Sequence, residues 1–445
     1  MNIDLLITAR WVIPVEPADT VYNDYAIAVN ERQIIDLLPA SEAATRYSAA
    51  ETVSLDRHAV IPGLVNSHTH SAMALLRGYA DDLPLMTWLN DYIWPAEQTW
   101  ASPGFVEDGS RLAIAEMLRS GTTCFADMYF FPDSTAEVAI ETGIRAVIGL
   151  IMIDFPTPWA RDPQEYFEKG EHVHDKYKHS PLIRTAFAPH SPYAVSAEPL
   201  ERIGTLAEEL DIPIQIHVHE TADEVKQSVE QYGKRPLQRL HDIGLLSNRL
   251  LAVHMTQLLP EEIDLLARYN VNIAHCPESN LKLASGFCPV NELLKADINV
   301  TLGTDGCASN NDLDMIAEMR TAALLGKGVA NDSRVLSASQ VLRMATINPA
   351  RALGMESITG SLLPGKDADL CAIDLGQLET QPLYDPVSQV IYASSRNQVT
   401  DVWVAGKQLL KNRELLTINE ESVRHHAAAW QQKLNTGRVA KTGGG

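Results

Sequence analysis

The chain has 445 residues, 45% hydrophobic and 21% charged, proportions ordinary for a soluble globular enzyme with room for a large core. Its formal charge of −21, with no dense basic run, argues against a nucleic-acid binder, because phosphate contacts need clustered Lys and Arg. The five cysteines, Cys124, Cys276, Cys288, Cys307 and Cys371, form no C-x-x-C pair, so neither a disulfide framework nor a thiolate zinc cage is expected, and a reducing cytoplasm fits.

The N-terminus, Met1-Asn-Ile-Asp-Leu-Leu, carries an early acid and no basic leader, and no apolar run approaches ~18 residues, so neither a signal peptide nor a membrane span is expected. Residues 1–60 alternate apolar and polar positions in short runs: Asp4-Leu-Leu-Ile-Thr-Ala, Tyr25-Ala-Ile-Ala-Val and Gln33-Ile-Ile-Asp-Leu-Leu. Such runs predict small β-strands joined by tight loops. The stretch Ile61–His70 follows, in which the Pro62-Gly63 turn leads into a buried strand that closes with His68 and His70. Side chains at i and i+2 of a strand share a face, so two imidazoles converge at its end, which is half of a metal site. A bare H-x-H is equally compatible with two unrelated polar residues at a loop entry, so the reading depends on further ligands downstream.

From 61 to 357 one rhythm repeats: a short apolar strand, a polar loop, an amphipathic helix. The predicted strands are Leu64–Ser67, Thr122–Ala126, Ala146–Ile151, Ile183–Ala188, Pro213–Val218, Leu250–Val253, Val271–Ala274 and Val300–Leu302. Helices are expected between them, for example over Gly109–Ser120, closed by Gly121, and over Leu200–Leu210. Eight such units match an α/β architecture, a (β/α)8 barrel of ~250 residues plus insertions. An open doubly wound sheet is the competitor, but no G-x-G-x-x-G opens the first helix. The remainder, 358–445, returns to short strands, in Gly360–Asp374 and Val399–Leu410, so the two chain ends are expected to build one small β-sandwich. The Gly-rich tail Thr436–Gly445 is expected to fray.

Chemistry in such a barrel sits at the C-terminal ends of the strands. There the first strand offers His68 and His70, the fourth His190, the fifth His217, His219 and Glu220, the sixth His254, the seventh His275, and the eighth Asp305. Seven of the chain's 14 histidines stand at these positions, a concentration that random placement would seldom produce.

The P-G-L-V-N-S-H-T-H opening, the I-H-V-H-E of the fifth strand, the H-C-P-x-S-N of the seventh and the G-T-D-G of the eighth resemble the amidohydrolase superfamily. Within it the chain is similar to the branch containing 5-methylthioadenosine/S-adenosylhomocysteine deaminases and triazine chlorohydrolases. Leu75–Leu89 and Trp94-Pro-Ala-Glu97 are similar to the loop after the first strand in that deaminase group.

Beside that resemblance, three neutral imidazoles and one carboxylate, His68, His70, His217 and Asp305, suit Zn2+, with Fe2+ the alternative. Several superfamily members bridge two metals with a carboxylated lysine at the end of the fourth strand. Ile183–His190 contains no lysine, so one metal per subunit is expected. Bound metal lowers the pKa of water toward neutrality, giving hydroxide able to attack an aromatic carbon that bears an amino group. Asp305 can also hydrogen-bond that water, and His254 stands on the next strand as base or electrostatic partner.

Glu220 separates the chemistries. Deamination needs a proton on the ring nitrogen beside the attacked carbon and later on the departing amine, which a partly desolvated carboxyl can supply. Loss of chloride needs no such proton. The plain alternative is that Glu220 merely stabilises the N-terminus of the helix after Thr221. His219 and His275 read as supporting or structural residues. The resemblance implies that Glu97 binds ribose hydroxyls and that His190 contacts substrate. Some relatives hold the homocysteine carboxylate with an arginine near Gly149, where this chain has Gly149-Leu150; Arg161 is a candidate substitute.

Other metal chemistry does not fit, since H-E-x-x-H and P-C-x-x-C are both missing. The expected function is hydrolytic deamination of the adenine ring of 5-methylthioadenosine, S-adenosylhomocysteine or adenosine. The alternatives are deamination of another amino-purine, amino-pyrimidine or aminotriazine, and a barrel kept only for assembly. A homo-oligomer acting on a small nucleoside, without nucleic acid or membrane, completes the expectation.

Overall fold

The computed structural model describes residues 1–442, with side chains through residue 436. Eight parallel strands, Leu64–Thr69, Thr122–Asp127, Arg145–Met152, Ile183–Pro189, Ile214–Val218, Leu250–His254, Asn272–His275 and Val300–Leu302, each pair with the next in sequence. They are buried on both faces, because helices cover one side and the barrel core the other; all eight residues of Arg145–Met152 are buried. The last strand returns to the first. Ser67 Oγ donates to the Leu302 carbonyl at 2.8 Å, and Asp305 N–H donates to the His68 carbonyl at 3.0 Å. Gly303 permits that approach, since a Cβ there would lie 2.8 Å from His68 N. The (β/α)8 barrel is therefore the fold of the chain's middle.

The helix expected from Gly109 begins earlier, at Pro103, and runs to Arg119. Ser102 caps it by accepting from Phe105 N–H, and Pro103 tolerates the first turn because it has no amide to leave unpaired. That Ser-Pro signal outweighs the weak periodicity of the segment.

The chain ends build one continuous, mixed, eight-stranded sheet. Its order is Glu414–Leu415, Lys407–Lys411, Val399–Val404, Leu370–Asp374, Ser48–Pro62, Asn2–Val12, Tyr22–Asn30 and Gln33–Pro39. The two ends meet where Leu370–Asp374 runs antiparallel to Ser48–Pro62, with Cys371 opposite Ile61. Ile7, Ile27, Leu370 and Trp403 form the core of one face. Arg145, buried at the start of the third barrel strand, joins sheet to barrel through Asp367 and Asp369 at 2.7 and 3.0 Å. Losing one partner of such a buried pair strands the others' charge, so the joint specifies how the two units dock. The C-terminal segment, expected to fray from Thr436, continues instead as the helix Glu420–Thr442, and the part of that expectation falling on 443–445 lies outside the described residues. Among the described residues no helix is long and apolar enough to cross a membrane.

Candidate metal centre and active site

The C-terminal strand ends converge at one mouth of the barrel. The ligand atoms of His68, His70, His217 and Asp305 all lie within 4.8 Å of one another. His68 Nε2 is 3.0 Å from His217 Nε2, and Asp305 Oδ1 is 3.6 Å from His68 Nε2 and 3.1 Å from His70 Nε2. Four donors at ~2.0–2.1 Å around a tetrahedral ion would be ~3.3 Å apart, so the spacing fits zinc.

The other face of each imidazole sets its tautomer. His70 Nδ1 lies 2.6 Å from the Met128 carbonyl and His217 Nδ1 2.7 Å from the His190 carbonyl. A carbonyl only accepts, so both Nδ1 atoms carry the proton and both Nε2 lone pairs point inward. His68 Nδ1 faces Gln215 Oε1 at 3.4 Å, and Gln215 Nε2 donates to the Asp127 carbonyl at 2.8 Å, which fixes the amide's orientation. Asp305 is held by Ser279 Oγ and Ser309 Oγ, which donate to Oδ2 at 2.6 and 2.8 Å, and by Gly306 N–H to Oδ1 at 2.8 Å. Three lone pairs and a carboxylate oxygen thus aim at one point with nothing but each other to meet, an arrangement that a divalent cation satisfies.

Charge follows the same pattern. Burial holds the His68 and His217 rings below the usual histidine range, neutral as ligands must be. Burial opposes a charge on His70 as well, but the hydrogen bond and charge of Asp305 carry it up to about 9.

A cleft of about 750 Å3, counted to its mouth, opens over this cluster. Glu97, His190, Glu220 and His254 all line it. His254 is buried, and its Nδ1 lies 2.9 Å from Asn280 Oδ1, which leaves Nε2 toward the cleft, 3.8 Å from Glu220 Oε2. Desolvation pushes the Glu220 carboxyl up to about 8, with the Asp305 charge adding to the effect. Desolvation pushes Glu97, on the helix Trp94–Trp100, up to about 7. The Tyr129 hydroxyl is near enough to oppose that shift but outside hydrogen-bonding geometry. His190 is driven down to about 3 by burial and the neighbouring histidines, so it meets a ligand as a neutral ring.

Most of the rest of the wall is apolar, including Trp88, Trp94, Phe130, Ile151, Ile153 and Phe155, and no lysine or arginine is among the lining residues. Arg161 is not brought to the cleft; its side chain is 83% exposed and pairs with Glu165 at 2.8 Å. Nor can position 149 carry an arginine, since any Cβ there would sit 2.3 Å from the Asp127 carbonyl. His219, read as supporting or structural, points away from the cluster and accepts from Leu237 N–H at 3.1 Å. His275 is buried, with no hydrogen bond to its Nδ1, and burial with the nearby His254 drives it down to about 3.

Several residues of the site escaped sequence reasoning. Gln215 falls inside the predicted strand Pro213–Val218, where no pattern marks its role. Asp127, which accepts from Ser71 N–H at 2.6 Å and Thr69 Oγ1 at 2.9 Å behind His70, closes the second strand one residue beyond the predicted end at Ala126. Reading that strand to its true end would have found it. Ser279 lies in the H-C-P-x-S-N motif, which assigns it no role, and Ser309 has no pattern that marks it.

A model of the Amidohydrolase family matches residues 59–409. The chain is 49% identical over 437 residues to the 5-methylthioadenosine/S-adenosylhomocysteine deaminase of Saccharophagus degradans, covering 98% of each protein. Among solved structures it resembles an adenosine deaminase from Xanthomonas campestris with bound zinc, at 53% identity and a TM-score of 0.97, over 98% of this chain and 99% of that one. A triazine hydrolase variant superposes with a TM-score of 0.88 at 25% identity, over 96% of this chain and 99% of that one.

Proposed function

The chain belongs to the Amidohydrolase family, and from that premise we propose that it is a zinc-dependent aminohydrolase acting on the adenine ring of 5-methylthioadenosine and related adenosine thioethers, releasing ammonia. The observation that carries this reading is Glu220: an acid with a raised pKa, lining the cleft beside the four-residue cluster and facing His254. The relatives named above as deaminases, one of them with bound zinc, support it.

His68, His70, His217 and Asp305 would hold the ion. When bound, zinc supplies Lewis acidity, which makes a water molecule acidic enough to attack at neutral pH. The protein's own groups do the rest. Glu97 accepts hydrogen bonds from the ribose hydroxyls, and the neutral His190 ring contacts the base. Glu220 gives its proton to the ring nitrogen beside C6, which makes that carbon electrophilic. His254 Nε2, whose ring is oriented by Asn280, and Asp305 share the proton released by the attacking water. That proton passes to the amino group, the C6–N bond breaks and ammonia leaves; the remaining hydroxyl proton on C6 returns to Glu220 and restores the acid, while the ring nitrogen keeps the proton that Glu220 gave. Chloride departure would ask for no such acid.

The apolar mouth favours an uncharged 5′ substituent. Homocysteine brings an ammonium and a carboxylate, and the cleft wall contains no cation to meet the carboxylate. Incubation with 5-methylthioadenosine, S-adenosylhomocysteine, adenosine, guanine, cytosine and an aminotriazine, following ammonia and ultraviolet absorbance, tests the reading. Turnover of the adenosine thioether ahead of all others is expected; turnover of guanine, cytosine or the triazine alone would replace it.

A further inference from the structure

The fifth barrel strand does not end as a strand. In extended backbone His219 would share a face with His217, and Glu220 would point to the opposite face. Instead His219 adopts φ +53°, a left-handed conformation that side chains other than glycine seldom take without support from their surroundings. The turn sends the His219 ring outward to Leu237 N–H and swings Glu220 into the cleft. The neighbouring sixth strand breaks in the same way, with φ +76° at His254 and +49° at Met255.

Two residues hold this turn. The Glu224 carboxylate accepts from the Glu220 N–H at 2.6 Å and from the His219 N–H at 3.2 Å. A helix-capping glutamate at the third helical position ordinarily serves only the capping residue's amide, here that of Thr221, and the Thr221 amide also acts on the Glu224 carboxyl; the bonds to Glu220 and His219 extend that cap back along the chain. From the other side, Thr256 N–H donates to the His219 carbonyl at 3.0 Å, and Thr256 Oγ1 donates to the Glu220 carbonyl at 2.7 Å. Thr256 is two residues from His254. The strand end that carries Glu220 is thus fastened to the strand end that carries His254.

We propose that Glu224 and Thr256 are positioning residues, a clamp that fixes the left-handed turn at His219 so that the Glu220 carboxyl and the His254 imidazole face one point in the cleft. The catalytic weight of the clamp rests on the roles given above to Glu220 and His254; its existence does not. Without it the strand end relaxes toward extended backbone, and Glu220 rotates toward the face it would occupy in a regular strand. The metal ligands are fastened elsewhere, by the Met128 and His190 carbonyls, Gln215, Ser279 and Ser309, so the ion stays.

Kinetics of Thr256→Val, Thr256→Ser and Glu224→Gln with 5-methylthioadenosine, expressed per bound zinc, test the clamp. Thr256→Val and Glu224→Gln are expected to lower kcat by about 10²-fold, the cost of a small misplacement of reacting groups, with KM and zinc content little changed. Thr256→Ser, which keeps the hydroxyl, should restore kcat. A purely structural role would lower Tm and the folded fraction while leaving kcat per zinc-loaded molecule at the wild-type value, and that result would overturn the proposal. Amide hydrogen exchange at His219 and Glu220 separates the clamp from the functional reading. Faster exchange in Glu224→Gln is expected even if no nucleoside is turned over, and unchanged protection would show that no clamp exists.

Discussion

Glu220 Oε2 lies 3.8 Å from His254 Nε2, too far for a hydrogen bond and too near for a water to stand between them. Burial drives the two groups in opposite directions: the carboxyl is pushed up to about 8, and the imidazole is held below its usual range. Near neutrality the proton therefore sits on Glu220 and the lone pair on His254, an acid and a base side by side. The active form of Glu220 is the protonated one, so activity falls as pH rises through its pKa. A bound divalent cation would lower that pKa, so a pH profile of kcat/KM should show an alkaline limb at or below about 8. Glu220→Gln should lose about 10²–10⁴-fold in kcat and, with it, that limb. A limb of unchanged position in Glu220→Gln would assign the titration to another group.

Glu97 offers a test that leaves the chemistry alone. Above about pH 7, where Glu97 is ionised, hydrogen bonds to its carboxylate contribute about 1.5–3 kcal/mol, and about 1.4 kcal/mol is a factor of ten. Glu97→Ala should therefore lower kcat/KM for nucleosides by about 10–100-fold. Any residual activity on free adenine, which lacks the ribose, should be unaffected. An unchanged rate on nucleosides would remove the ribose-binding role.

Specificity at the 5′ end should follow the charge of the mouth. Phe155 lines the cleft and is 41% exposed, so a longer polar side chain there meets water and need not disturb the core. Phe155→Arg should raise kcat/KM for S-adenosylhomocysteine relative to 5-methylthioadenosine, measured in competition, by supplying the missing partner for the homocysteine carboxylate. A ratio unmoved by the substitution would mean that the 5′ tail does not run past Phe155.

Much of this site is readable from residues alone. His68 and His70 obey the two-residue period of a strand, and their rings turn toward one point, with centroids 4.8 Å apart. His217, His254 and Asp305 are found because barrel chemistry gathers at strand ends. The same period alone would put His219 beside His217 and turn Glu220 away; Glu220 is found as an acid just past the strand end, but the backbone leaves the extended region at His219 and nothing in the local sequence announces a positive φ there. Arg161 had to be guessed from charge, and a loop guanidinium finds a partner four residues away more easily than it reaches a cleft. The supporting residues Gln215, Ser279 and Ser309 are set by tertiary neighbours from other strands, which no single segment encodes.

Removal of the ion should destabilise as well as inactivate. A ligand that binds only the folded state adds RT ln(1 + [L]/Kd), about 4 kcal/mol at 1,000 times Kd. Tm should then climb with the logarithm of free zinc in the native protein and stay flat in His217→Ala, which lacks one of the converging lone pairs. Equal zinc-dependent shifts in both proteins would point to binding elsewhere.

Stepwise reconstitution of chelated protein with zinc, assayed by ammonia release from 5-methylthioadenosine at each addition, bears on the whole scheme at once. Activity should be absent without metal, rise in proportion to the zinc added, and level off at one equivalent per chain. Full ammonia release from metal-free protein, or zinc-replete protein that releases none, would contradict it.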